Sequence, residues 1–205
     1  MLKDRVLIIF AKAPVDGTVK TRLIPEYSPS QAASIHQQLL EFVLERIAFL
    51  QGFDIELHCA PDQNHEFFKA LKNQYQLKLK SQTSGDLGQR MNNTISQALT
   101  EYKKVVLIGS DCPVIDSHYI QQAFNELEKK STVLGPAEDG GYVLIGVTKL
   151  KSRLFKDIDW GSEYVLQQTL DQLEPEKPAL MKTLWDVDRP EDVLRFENLN
   201  QNFEM

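Results

Sequence analysis

Two apolar patterns alternate along this chain. Val6–Ala11 (VLIIFA) is an unbroken apolar run rich in branched residues, the pattern of a strand buried on both faces. Ser28 followed by Pro29 marks a helix start, because Ser28 can cap and Pro29 suits the first helical position. From Ala32 to Leu50 the residues Ile35, Leu39, Phe42, Val43, Ile47 and Leu50 recur at helical spacing, which predicts one buried face, with Gly52 as the stop. FDIELHCA then alternates as a strand. A short helix is predicted over Asn64–Lys72 and a strand over Tyr75–Leu79. The Gly-punctuated TSGDLGQRM leads into a helix from about Gln89 to Tyr102, and KVVLIGSDCP is a second fully buried strand.

In the second half, Asp116 caps a predicted helix that runs to Lys130. TVLGPAEDGGYVLIGV reads as two strands joined at Asp139-Gly140-Gly141. A helix follows Ser162, PALMKTL reads as an edge strand, and WDVDRPEDVLRF places a loop before a closing helix with Pro190 in its first turn. Strands alternating with helices predict an α/β fold with a mostly parallel sheet, one late strand running antiparallel. No repeat or linker interrupts the pattern, so residues 1–205 are expected to form a single domain.

Composition narrows the partners. The net charge of −6 argues against a nucleic-acid coat or an anionic membrane surface. Yet residues 1–22 carry Lys3, Arg5, Lys12, Lys20 and Arg22 against only Asp4 and Asp16, so a basic opening sits on an acidic chain. That distribution fits a small anionic ligand. Two cysteines, Cys59 and Cys112, are too few for a disulfide framework or a zinc site. No run approaches the ~20 apolar residues of a membrane span, and a cytoplasmic setting is expected.

In open α/β sheets ligands bind beyond the carboxyl ends of strands, and three such ends carry unusual chemistry here. The first is FAKAPVDGTVKTRL. It is not a P-loop, because Gly17 and Lys20 are separated by two residues and Lys12 stands where the first Gly would fall. Lys20 and Arg22, with Lys12, could instead neutralise phosphates by side-chain charge, with backbone donors from Gly17 and Thr18. Pro14, Gly17 and Pro25 bend the loop. A solvated basic loop is the plain alternative. The second is Asp111 in IGSDCP, a carboxylate suited to a hard cation such as Mg²⁺ or Mn²⁺. Asp186 or Asp188 could reach the same ion, although Asp111 and Asp188 could equally be helix or turn caps. The third is GPAEDGGYVLIG, where Glu138 and Asp139 could bind hydroxyls or act as base, and Gly140, Gly141 and Tyr142 would line the acceptor side. The turn Gly85, Asp86, Gly88 and Arg90 could face a base or ribose, or be a plain capped turn. No histidine is read as a ligand, and Cys112 is read as a buried residue, not a nucleophile.

Six segments, FAKAPVDGTVKTRL, GDLGQRM, IGSDCP, GPAEDGGYVLIG, DIDWGSE and DVDRPEDV, together resemble a bacterial family of glycosyltransferase-A-like proteins over roughly residues 5–197. The family is described as a domain of unknown function, or as a transferase associated with radical-SAM and selenodomain proteins. The resemblance implies the nucleotide-diphospho-sugar transferase fold, a three-layer α/β/α sandwich with a mixed, mostly parallel sheet. It also implies a small-molecule nucleotide or nucleotide-sugar donor, an acceptor of unstated identity, and Mg²⁺ or Mn²⁺. The Lys-Thr-Arg-Leu of the first loop and DVDRPED look like segments of nucleotidyltransferases such as phospholactate guanylyltransferases, with Arg189 where Thr is usual. Glycosyltransferases of this fold usually show D-x-D, whereas the matching place here is Asp111-Cys112-Pro113. The expected function is therefore a metal-dependent transferase, foremost a glycosyltransferase, with Asp111, Glu138 and Asp139 catalytic. Nucleotidyl transfer is the alternative, and a non-catalytic nucleotide-binding protein is the alternative of another class.

Overall fold

Seven strands form one sheet in the order β3-β2-β1-β4-β6-β5-β7 in the computed structural model. They are β1 (Lys3–Lys12), β2 (Asp54–Ala60), β3 (Lys78–Ser81), β4 (Tyr102–Ile108), β5 (Thr132–Pro136), β6 (Tyr142–Val147) and β7 (Ala179–Leu180). The structure describes residues 2–24 and 26–201, so Pro25, expected to bend the first loop, lies outside them. Every neighbouring pair is parallel except the two that involve β6. The expected lone antiparallel strand is β6, joined to β5 by the turn containing Asp139, Gly140 and Gly141.

Among the described residues are six α-helices, α1 (Pro29–Ile47), α2 (Glu66–Tyr75), α3 (Leu87–Ala98), α4 (Ser117–Glu126), α5 (Val165–Leu173) and α6 (Pro190–Gln201), of which the first five cover the sheet. Alternation along β1 sorts them into layers. Leu7 and Ile9 pack with Leu40, Phe68 and Phe124 of α1, α2 and α4. Val6, Ile8 and Phe10 meet Met91, Ile95 and Leu173 of α3 and α5 on the other face. This is the expected three-layer α/β/α sandwich. Helix α6 instead packs on α1, with Val193 and Phe196 against Leu39, Phe42 and Trp185.

Helix starts were the more legible ends. Ser28 forms a capping box with Gln31, Asp86 forms one with Gln89, and Asp116 caps α4. Several boundaries differ from expectation. α1 stops at Ile47 with Ala48 as its cap, so Gly52 lies in the following turn. Tyr75 completes α2 and Tyr102 opens β4, because both rings turn into the core, Tyr75 on the α2 face and Tyr102 on the α3 face. α3 opens at Leu87, two residues ahead of Gln89, because Asp86 takes the cap. α4 ends at Glu126, short of Lys130. The PALMKTL strand shrinks to Ala179–Leu180, with one further bridge from Leu184 to Ala137.

Candidate functional site

β1 and β4 are parallel central neighbours, so their carboxyl ends share one edge of the sheet. β6 runs against β4 and pairs Leu144 with Ile108, which delivers the β5–β6 turn to the same edge. The segment 184–188 is stitched between them. Leu184 N–H donates to Pro136 O, Glu138 N–H to Leu184 O, and Val187 N–H to Asp111 O. These backbone bonds carry Asp111, Asp139, Asp186 and Asp188 from three separate stretches to one cavity of about 520 Å³.

Lys12, Thr18, Lys20 and Arg22 from the first loop, Arg90 from α3, and Gly141 and Tyr142 from β6 also line that cavity. The loop reaches across it. Lys20 adopts a left-handed backbone (φ 47°), a conformation uncommon for a non-glycine residue. Its ammonium, almost fully buried, donates to Asp111 Oδ2 at 3.0 Å and to the carbonyl of Val187. Arg22 Nη1 donates to Asp188 Oδ2 at 2.5 Å. Two of the cations expected at phosphates, Lys20 and Arg22, are thus paired, each with a carboxylate expected at a metal.

The electrostatics follow from this packing. Burial raises the Asp111 carboxyl, but Lys20 outweighs burial and holds it below its ordinary range. Asp186 is pushed up to about 7, first by burial and then by Asp111 and Asp139, with Lys20 only partly opposing them. Asp139 is tied locally, its Oδ1 accepting from Gly141 N–H at 2.8 Å. Among the described residues neither Asp139 nor Asp186 forms an ion pair.

Other expected site residues stand elsewhere. Glu138, expected to be catalytic, stands outside the cavity lining, and both its oxygens accept from Arg195 of α6, at 2.8 and 3.3 Å. Asp86 spends its carboxylate on the α3 cap, and Gly17, Gly85, Gly88 and Gly140 are also absent from the lining. Gly140 and Gly88 have packing reasons instead. Gly140 has φ +88°, and a Cβ there would meet Glu163 O at 2.1 Å, while one at Gly88 would meet the Trp160 indole at 2.8 Å. Nor do the described residues contain a preformed group of three or more His, Cys, Asp or Glu side chains able to hold a metal ion.

Some lining residues carried no functional reading in the sequence. Trp160 and Ser162 arrive from the connection between β6 and α5. Gln82 follows β3 and is fully engaged, donating to Ala11 O and His58 O and accepting from Arg90. His36, on the buried face of α1, donates from Nε2 to Lys12 O at 3.0 Å, so it acts on the loop backbone and is no exposed ligand. Burial first, with the charges of Lys20 and Lys12, keeps it below its ordinary pKa. Cys112 is buried, and burial pushes its thiol up. No helix of the described residues is long and apolar enough to cross a membrane.

The family model described as an uncharacterized protein conserved in bacteria, DUF2064, matches residues 43–162, more than half of the chain. The chain belongs to this family. A curated protein that the chain is similar to is the 2-phospho-L-lactate guanylyltransferase of Methanocaldococcus jannaschii, 26% identical over 143 residues. That match covers 69% of this chain and 59% of the relative, so the chain spans about three fifths of the relative's length. Among solved structures, a protein of Desulfovibrio desulfuricans G20 provisionally described as a nucleotide-diphospho-sugar transferase is similar at 30% identity and TM-score 0.82, over 92% of this chain and 84% of that one. The 4-diphosphocytidyl-2C-methyl-D-erythritol synthase of Anaerococcus prevotii shares the fold at 14% identity and TM-score 0.66, over 97% and 96% of the two chains. This DUF2064 member thus shares its fold with proteins described as transferases.

Proposed function

We propose that this chain is a nucleotidyltransferase that joins the nucleoside monophosphate part of an NTP to a phosphorylated small-molecule acceptor and releases pyrophosphate. One observation carries the reading: the split carboxylates Asp111 and Asp186 and the first-loop cations Lys20 and Arg22 line a single cavity at the strand ends, with Lys20 in contact with Asp111. This reverses the order of preference drawn from the family's glycosyltransferase-like description. The guanylyltransferase likeness supports it.

Lys20, Arg22 and Lys12 would bind the β- and γ-phosphates, and Gln82 and Arg90 would border the nucleoside. An acceptor phosphate oxygen attacks the α-phosphorus. A new P–O bond forms there, and the bond to the β-phosphate bridging oxygen breaks as pyrophosphate leaves. A phosphate monoester is largely dianionic at neutral pH, so this nucleophile needs no general base. Glu138, bound to Arg195, is accordingly free of any proton-transfer duty.

The carboxylate set fits a hard divalent cation. Mg²⁺ is commonly held by one or two carboxylates plus substrate phosphates, not by an all-protein cage. Asp111 and Asp186 would supply the protein ligands. When bound, such an ion offsets phosphate charge in the transfer.

The test is pyrophosphate release from a panel of NTPs with phosphorylated acceptors. Lys20→Ala and Arg22→Ala should each weaken nucleotide binding by about 1.5–3 kcal/mol, the worth of a hydrogen bond to a charged group. Unchanged affinity in both variants removes the first loop from the site. The Desulfovibrio relative favours a second reading, glycosyl transfer from an NDP-sugar. Release of NDP from an NDP-sugar, with all NTPs inert, would select it.

A further inference from the structure

Arg195 lies on the helix face turned toward the segments that carry two of the site's carboxylates. Its guanidinium engages two partners at once. It donates from Nη1 and Nη2 to both Glu138 oxygens, and its Cζ sits 4.2 Å from the centroid of the Trp185 ring. Glu138 immediately precedes Asp139, and Trp185 immediately precedes Asp186. The two segments already run side by side through the Ala137–Leu184 bridge and the Glu138 N–H to Leu184 O bond.

Asp139 and Asp186 line one cavity, form no ion pair among the described residues, and repel one another when both are ionised. A planar guanidinium suits the task of joining their two segments in a way an ammonium does not, because it can meet a carboxylate with two parallel N–H groups and lie flat on an aromatic ring. Arg195 is also half-exposed, so an isolated ion pair here would add little to stability.

We infer that Arg195 is a positioning residue: by gripping Glu138 and Trp185 together it sets the spacing of Asp139 and Asp186 across the cavity. The inference rests on the transferase reading above. It gives Glu138 a role at the site through its neighbour, not through contact with substrate.

The test compares wild type with Arg195→Met, Arg195→Lys and Glu138→Gln. Four readouts are taken: kcat, KM for the NTP, the unfolding midpoint, and amide hydrogen exchange over residues 137–141 and 184–188. Arg195→Met should lower kcat at least about tenfold, with any rise in KM for the NTP smaller than the fall in kcat, because Lys20, Arg22 and Lys12 would still hold the phosphates. Arg195→Lys should fall between, since it keeps charge without the fork. Glu138→Gln should match Arg195→Met with the pH profile unmoved, and the double variant should be no worse than either single one. Exchange should quicken in both segments together while the midpoint stays nearly constant.

Unchanged exchange in Arg195→Met overturns the grip, and unchanged kcat with quickened exchange overturns the positioning role. A kcat loss that merely follows a large drop in midpoint also overturns it, as does a shifted pH profile in Glu138→Gln alone. Wild-type protein inert with every NTP overturns the transfer reading instead, and the exchange data then decide the grip by themselves.

Discussion

Lys20 is expected at an anion from its place in a bent loop after a buried strand, and the structure gives its ammonium protein partners, Asp111 and the Val187 carbonyl. The pair has a stability consequence. Lys20→Met would leave Asp111 with its main compensating charge gone. Fully buried pairs cost 3–5 kcal/mol when one partner is removed. Asp111 keeps part of its side chain in solvent, so a loss of about 1–2 kcal/mol is expected here. Denaturant unfolding of Lys20→Met, Asp111→Asn and the double variant measures it. The double variant should recover stability relative to the sum of the singles, and strict additivity would mean that the contact contributes nothing. Lys20 and Asp111 were legible because each follows a strand whose apolar run announces it. Arg195, His36 and Gln82 were not. Their roles come from partners 57, 24 and 71 residues away, and no local pattern encodes such a contact.

At the level of elements, β2 shows what alternation conceals. FDIELHCA was readable as a strand, but its Glu56 and His58 would ordinarily face solvent. Instead β2 lies between β1 and β3, and both side chains are buried. Glu56 accepts from Lys78 at 2.7 Å and pairs with Lys80 at 2.9 Å and with His58 at 3.1 Å. Burial raises its pKa, but the hydrogen bonds from His58, Lys78 and Lys80 outweigh burial and hold the carboxyl far below its ordinary range. The folded-state value is therefore depressed. Its stabilising effect is complete above the unfolded value of about 4.3 and is lost as pH falls toward the folded value. Glu56→Gln should destabilise the protein by roughly 3 kcal/mol at pH 7, by stranding charges around a buried site. The gap to wild type should narrow steadily below about pH 4. Unfolding midpoints measured from pH 7 down to pH 3 check this, and parallel curves would exclude Glu56 as a source of acid sensitivity. The helix boundaries missed in the sequence have a related cause. Tyr75 and Tyr102 suit either state by propensity, and the layer each ring fills decides where the element stops.

On the scale of the whole molecule, charge separates the nucleotide readings from a passive pocket. The chain carries a net −6, but the cavity lining collects four cations, Lys12, Lys20, Arg22 and Arg90, against four aspartates. Formally the cavity is neutral. Two of the cations are already paired with two of the aspartates, so a nucleoside triphosphate meets little uncommitted positive charge. Entry of the triphosphate would compete for the cations of those pairs and set phosphate charge beside the carboxylates. Such an arrangement is repulsive unless a further cation accompanies the nucleotide. Nucleotide binding should therefore depend on Mg²⁺ or Mn²⁺. With the divalent ion present, a matching NTP at ~100 times its dissociation constant should add about 2.7 kcal/mol of stability. With chelator, affinity should fall at least about tenfold and most of that stabilisation should vanish. Lys20→Met should widen the dependence, because it removes the only protein cation paired with Asp111 among the described residues. Thermal unfolding over a nucleotide titration, with Mn²⁺ and with chelator, decides it. Equal stabilisation in both conditions would mean that the protein's own cations suffice, and Asp111 and Asp186 would then have to act on the acceptor.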